Sequence, residues 1–491
     1  MTRPSELSAV QARNLLQRRD LSALELLDDC LARIDAVDPA INAVVARDIE
    51  GARKAAQTIR GDEGPLAGLP LLVKDMVDVA GLPTTFGSEL FATNMAKRDD
   101  PMVAALRAAG ALPFGKTNCP EWSAGGNTRN RVYGVTGNPH DVTRSAAGSS
   151  GGSAAALAAF MAPLATGSDT GGSLRNPAAF CGVVGFRPTP GVVPAASRSI
   201  GLIPMSTVGP MARNVADAAL LLSVQARADA GDPFTPVIEG RTPWDPAGFA
   251  SLPEVDPARL RLAFSDDFGF APTEAMIRRS FGTIIDTLTP MLPGLHPASP
   301  DCTGADKIFS VLRGVLFLGP HRDLVRDHPG KVGPNVTANV EEGLRLRPEE
   351  ITAALIEQQR YSLRWHDFFG QADYVLSPAV CIGPRDWHEL FPTEIDGVAT
   401  KSYYHWLALA YASTLAGCPS LTIPCGRDEN NMPFGLQIIG RRHDDRGVLA
   451  LGLALERMIA GLPSLCPTAP DMAALVTAPP IRQAPGAFDL D

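Results

Sequence analysis

Two glycine-flanked serine clusters carry most of the chemistry this chain can offer. Gly148-Ser149-Ser150-Gly151-Gly152 is followed by Ser168-Asp169-Thr170-Gly171-Gly172-Ser173, and a lone lysine, Lys74, ends the apolar run Leu71-Leu72-Val73 upstream. A serine hydroxyl is a weak nucleophile until a base removes its proton. That base is a histidine or a neutral lysine. The histidines, at 140, 296, 321, 328, 366, 388, 405 and 443, all lie outside the glycine-rich and strand-end contexts near the serines. Lys74 sits where a buried strand should end. Burial disfavours the charged amine and lowers its pKa, so a neutral lysine can act as a general base near neutral pH. Nucleophile, proton relay and base together point to acyl transfer, most simply amide hydrolysis. The backbone N–H groups of Thr170, Gly171, Gly172 and Ser173 can converge on a developing oxyanion, because glycine accepts the dihedrals this requires. The plainer readings are a lysine paired with Asp75 or Asp78, and a glycine-rich turn between strand and helix.

The elements that must position these groups are partly legible. Ser22-Ala23-Leu24-Glu25 has the form of a capping box, and Leu26, Leu27, Cys30, Leu31, Ile34 and Val37 follow at helical spacing. Residues 69–73 and 111–114 read as strands, and a helix runs from Asp100-Pro101 to Gly110. A helix opens at about Ser153, directly after the first serine cluster. Further helices are expected over 273–290, 348–369 and 446–460, and strands over 374–376, 420–423 and 434–439. Sheet strands thus come from both ends of the chain. The pattern predicts a single large α/β domain over 1–491, with a central mixed β-sheet covered by helices on both faces. Within it, 65–215 forms a glycine-dense core, while 230–370 is harder to read. Residues 230–258 read as a proline-broken surface excursion, and 463–491 as a proline-rich C-terminal tail.

The 491 residues carry a formal net charge of −9, which argues against nucleic-acid binding. No window offers a membrane span, and the N-terminus lacks the apolar core of a secretory signal. The eight cysteines form no C-x-x-C pair and give no zinc spacing; they read as buried thiols of a reducing compartment, and a cytoplasmic protein is expected. No cofactor or metal enters the chemistry above. Gly110 to Gly115-Lys116-Thr117 matches a phosphate-loop string, but its interior reads as a strand and Pro120 interrupts the helix that should follow, so it is taken as chance.

The motifs resemble those of the amidase signature family. The resemblance rests on Lys74, on Gly148 to Ser153, and on Gly167 to Ala178, including Ser173-Leu174-Arg175-Asn176-Pro177. It continues through Cys181 to Thr189, Lys116 to Glu121 and Pro433 to Gly440. It implies a Ser-cisSer-Lys triad. Ser173 would be the acylated nucleophile. Ser149, after a cis peptide bond, would pass protons between Ser173 and Lys74. The oxyanion hole would be formed by Thr170, Gly171, Gly172 and Ser173. Ser150 would hold Ser149 or Lys74, Asp169 and Arg175 would brace the Ser173 loop, and Ser123, Ala124 and Gly125 would line the acyl pocket. Arg175 touching an anionic substrate is the alternative for that residue, and 230–370 would be the variable, substrate-side region.

Three rival readings remain at this level. Gly148 to Gly152 also satisfies the G-x-S-x-G nucleophile elbow, which would make Ser150 the nucleophile of an α/β-hydrolase esterase with Asp444 and His443. The family includes the glutamine-hydrolysing subunit of tRNA-dependent amidotransferases. A catalytically silent binding protein would keep the same scaffold. The expected partner is a small-molecule amide, with an apolar or aromatic acyl group favoured and esters or carbamates as side activities. A homodimer is compatible with the sequence.

Overall fold

Eleven strands form one mixed sheet in the computed structural model, which describes residues 3–490. They are β1 (Val44–Arg47), β2 (Pro70–Lys74), β3 (Leu112–Thr117), β4 (Leu164–Asp169), β5 (Val184–Arg187), β6 (Thr207–Ala212), β7 (Leu262–Phe264), β8 (Leu295–Pro297), β9 (Tyr374–Pro378), β10 (Ser420–Arg427) and β11 (Pro433–Gly440). Their spatial order is β1-β3-β2-β4-β6-β5-β10-β11-β9-β7-β8. β3, β2 and β4 run parallel to one another, and β4, β6, β5, β10, β11 and β9 alternate antiparallel.

Every residue of β2, β3 and β11 is buried, so both faces of the sheet are covered. Consecutive strand residues enter different cores, as the two-residue period requires. Leu376 and Ile438 join the core containing the Ala23–Ile41, Gly151–Ala158 and Val215–Gln225 helices, while Val375 and Ile439 join Phe309, Tyr361, Trp365 and Tyr411. The sheet with its flanking helices is a single domain.

The Ala23–Ile41 helix begins with the reciprocal Ser22–Glu25 capping box, and Asp100 caps the Pro101–Ala108 helix by accepting from Met102 N–H at 2.8 Å. β4, β5 and β6 carry no clear strand signal in the sequence. Leu-Ala-Thr-Gly-Ser-Asp and Thr-Val-Gly-Pro-Met-Ala are poor strand sequences, and they hold as strands because neighbours on both sides satisfy their backbones. The Ala305–Asp327 helix is equally hidden, since Gly314, Gly319 and Pro320 interrupt its pattern. Beyond 463, the Met472–Thr477 helix packs against Ala23–Ile41, and Ile481 and Ala487 bury against Val135 and Trp387. One cysteine departs from expectation: Cys466 is exposed, because it lies where the chain leaves the sheet core, whereas the other seven are buried. Among the described residues no helix is long and apolar enough to cross a membrane.

Candidate active site

Parallel pairing of β2 with β4 brings the carboxyl ends of the two strands together, the end at which open α/β sheets place their ligands. Lys74 is the last residue of β2, and Ser168 and Asp169 end β4. The loop Thr170 to Leu174 follows and feeds the Arg175–Cys181 helix. The first serine cluster enters the Gly151–Ala158 helix, whose glycines and alanines are buried and pack it closely beneath the sheet. The Gly148–Ser149 peptide is cis, and Ala147 before it takes φ 56°. Ser150 N–H donates to the Ser173 carbonyl at 3.3 Å, joining the two serine loops.

Lys74 is 1% exposed, and its Nζ lies 2.7 Å from Ser149 Oγ, 3.1 Å from Ser150 Oγ and 3.0 Å from Ser168 Oγ. Burial pulls its pKa down to about 8, against upward pulls from Cys119 and Asp169. Ser150 donates its own proton to the Ser168 carbonyl, so towards Lys74 it can only accept. Ser149 has no such competing acceptor among the described residues and can present its proton to the amine. Ser173 is half-buried, and its hydroxyl makes no hydrogen bond to a protein group among the described residues; such links often tighten only with substrate. Among the described residues no histidine hydrogen-bonds Ser150: His443 donates its backbone N–H to Thr189 Oγ1, and Asp444 accepts from Tyr374 Oη at 2.9 Å. The aspartates expected as partners of Lys74 are also engaged or distant. Asp75 pairs with Lys116 at 3.2 Å in the interior, which gives the phosphate-loop lysine a structural task. Ser168 belongs to the second serine cluster, yet nothing in the sequence gives it a role; only the strand pairing reveals it beside the amine.

Asp169 braces the Ser173 loop. Burial pushes its carboxyl up, but Arg175 and Arg187 outweigh this and hold it well below the usual carboxylate range. Arg175 donates to both Asp169 oxygens at 3.0 Å, and to Ala410 O, Ser413 Oγ, Gln437 Oε1 and Thr414 Oγ1 at 2.8 to 3.1 Å. With no exposed surface and its donors occupied, Arg175 cannot reach a substrate. Arg187 adds bonds to the Asp169 carbonyl and carboxylate at 2.7 and 3.1 Å. Asp169 also accepts from Gly172 N–H at 2.9 Å and Leu174 N–H at 3.2 Å. Gly172 N–H, one of the expected oxyanion donors, is thus engaged by the carboxylate. Gly172 serves instead through its φ of +108° and its closeness to Ala410. The N–H groups of Thr170, Gly171 and Ser173 have no acceptor among the described residues. Asp169→Asn should leave two buried guanidiniums without a full counter-charge and cost about 3 to 5 kcal/mol, read as a lowered denaturant midpoint with unchanged m-value.

The Ser123 to Gly125 segment lies directly against the first serine cluster. The Gly125 carbonyl stands 3.0 Å from where a Gly148 Cβ would be, and Ala124 O accepts from Asn335 Nδ2 at 2.9 Å. Trp122 and Ser123 take φ of 51° and 56°, sparsely populated angles that tend to cluster at functional sites. Trp122 Nε1 and Ser123 Oγ are buried without a hydrogen-bond partner. Trp122 stacks on Phe86 with centroids 4.6 Å apart and meets His321 edge-on. On the other side, a Cβ at Gly171 would meet the Phe309 ring at 3.0 Å and Leu407 at 3.9 Å. Phe309 belongs to an apolar patch visible in the sequence from Phe309 to Leu318; Leu407 carries no signal there. Among the described residues no three His, Cys, Asp or Glu side chains gather as a metal site would need.

The model of the family described as Amidase matches residues 25–314 and 321–449. The chain is 34% identical over 487 residues to a Roseiflexus castenholzii protein named as one of the subunits of glutamyl-tRNA(Gln) amidotransferase, covering 93% of this chain and 97% of the relative. It is 33% identical over 461 residues to an acylamidase of Rhodococcus erythropolis, covering 92% and 95%. Among solved structures, a bacterial aryl acylamidase of the amidase signature enzymes superposes with a TM-score of 0.83 at 26% identity, covering 92% of this chain and 96% of the other.

Proposed function

The chain belongs to the amidase signature family, whose members hydrolyse amide bonds, and from that premise we propose that it is a stand-alone amidase working through a Ser173 acyl-enzyme. Ser173 Oγ attacks the amide carbon while its proton moves to Ser149 and the Ser149 proton moves to Lys74 Nζ. The oxyanion of the tetrahedral intermediate is held by the N–H groups of Thr170, Gly171 and Ser173. The C–N bond then breaks, and the leaving amine takes a proton from the Lys74 ammonium through Ser149. Water attacks the ester so formed while passing a proton along the same relay to Lys74; the bond to Ser173 Oγ then breaks, that proton returns through Ser149 to Ser173, and the acid leaves as carboxylate and a proton. The observation carrying this reading is the buried Lys74 amine bonded to three serine hydroxyls, with no carboxylate against it. Phe309 and Leu407 over the oxyanion loop support an apolar or aromatic acyl group, with esters and carbamates as side activities. The expectation that this is one domain with a glycine-dense core over 65–215 and a variable side over 230–370 fits the same proposal: the core supplies the chemistry and the second region the pocket wall.

A screen of aryl anilides, aliphatic amides, esters and carbamates tests it, read alongside labelling by a fluorophosphonate. Turnover of at least one amide, with a single label on Ser173, is the expected outcome. A label on Ser150 instead would favour the esterase reading, and no label at all would sink both. The similarity to the Roseiflexus protein favours a second reading, in which the chain hydrolyses glutamine within an amidotransferase complex. Copurification with a second protein, with glutamine as the best amide, would establish it over the first.

A further inference from the structure

Arg313 is a buried cation with no carboxylate in ion-pair contact among the described residues. It is 4% exposed, and its hydrogen-bond acceptors among the described residues are two neutral groups, Asn339 Oδ1 at 3.1 Å and Tyr403 Oη, which takes bonds from both Nε and Nη2. The other interior arginines near the site are satisfied differently: Arg175 and Arg187 share Asp169. A guanidinium has five N–H donors and is costly to bury without a counter-charge. Arg313 Nη1 makes no hydrogen bond to a protein acceptor among the described residues. The rings of Phe309, Phe317, Tyr403 and Tyr404 surround the guanidinium carbon at 4.8 to 5.8 Å. They offset part of the desolvation but supply no carboxylate in contact with the guanidinium; Glu342 lies beyond Tyr404, accepting from its Oη at 2.9 Å.

Its position is tied to the reaction site from two sides. Phe309, one helical turn before Arg313 on the Ala305–Asp327 helix, is the ring that faces Gly171. From Arg313 a hydrogen-bond chain runs to Asn339, from Asn339 Nδ2 to the Asn335 carbonyl, and from Asn335 Nδ2 to the Ala124 carbonyl. Arg313 thus stands one ring beyond the oxyanion loop and at the end of the chain that holds the Ser123 to Gly125 segment.

We propose that Arg313 determines specificity by pairing with a carboxylate on the acyl part of the substrate. The preferred substrates are then amides with an apolar or aromatic segment next to the scissile carbonyl and an anionic group at its far end. This rests on the amidase reading above. The apolar segment lies on Phe309, and the carboxylate completes the guanidinium's hydrogen bonding as a bidentate partner.

The test is ammonia release from a matched pair, 4-carbamoylbenzoate and its neutral isostere 4-nitrobenzamide, alongside fluorophosphonate labelling of Ser173. Wild-type enzyme should favour the carboxylate in kcat/KM by about 30-fold or more. Arg313→Met should bring the ratio of kcat/KM for the two amides close to one, chiefly by raising KM on the charged substrate. Asn339→Asp, which supplies an internal counter-ion while keeping the side-chain size, should also collapse that ratio. Equal rates on the two amides by the wild-type enzyme, or a loss that falls equally on both in the variants, would overturn the proposal. Because the wild-type comparison needs no variant, a poorly folding Arg313→Met would not shield it. Unlabelled Ser173 would instead condemn the nucleophile assignment, so the two failures are distinguishable.

Discussion

Ser173→Ala is expected to lose activity by on the order of 10³- to 10⁶-fold and to take no fluorophosphonate label, while folding as the wild type does. Losses of this size follow removal of a nucleophile from a group that acts as a unit. The hydroxyl is half-buried and makes no hydrogen bond to the protein among the described residues, so its removal should hardly touch stability. Ser150→Ala provides the contrast. Its Oγ accepts from Lys74 at 3.1 Å and donates to the Ser168 carbonyl. Losing a hydrogen bond to the ammonium that forms during the reaction is worth about 1.5 to 3 kcal/mol, which is roughly 10- to 100-fold in rate. A rank order with Ser150→Ala the more damaging would reverse the roles of the two serines. Mass spectrometry of the labelled peptide reads the outcome directly.

Lys74→Met should be as damaging, and the wild-type pH profile should report why. Burial lowers the Lys74 pKa from 10.5 to about 8, and the amine works as a base only when neutral. The sign follows: kcat/KM should climb tenfold per pH unit below about 8 and level off above it. At pH 7, one unit below that pKa, about one tenth of the enzyme carries the active form. The same shift makes the unfolded chain hold the proton that the folded one has lost between about 8 and 10.5, so Lys74's contribution to stability rises with pH across that window. Lys74→Met must lose this pH-dependent limb along with at least about 10³-fold in rate, while Asp169 and its two arginines stay in place. A profile flat from acid to alkaline pH, with Lys74→Met still active, would remove the base from the mechanism. Activity that a chelator abolishes would do the same.

What could be read from the order of residues was the reactive inventory and its local setting. Lys74 at the end of an apolar run, serines held between glycines and the arginine after Ser173 are short patterns, and their chemistry is decided by neighbours a few positions away. Strand and helix periodicity also placed β2, β3, β9, β10 and β11, and gave the sheet its class. The tertiary structure alone decided three matters. Parallel register between β2 and β4 put Ser168 on the amine, although β4 itself reads poorly as a strand. The Asp169 carboxylate claimed Gly172 N–H, because two arginines from different elements hold it there. The Ala305–Asp327 helix and the Tyr403 to Leu407 segment met over Gly171, bringing Phe309 and Leu407 against it from far along the chain. In each case the contact joins elements whose own sequences carry no record of their register or seating. Such pairings are settled by which apolar faces bury together and which charges find partners, and only the packed chain makes that choice.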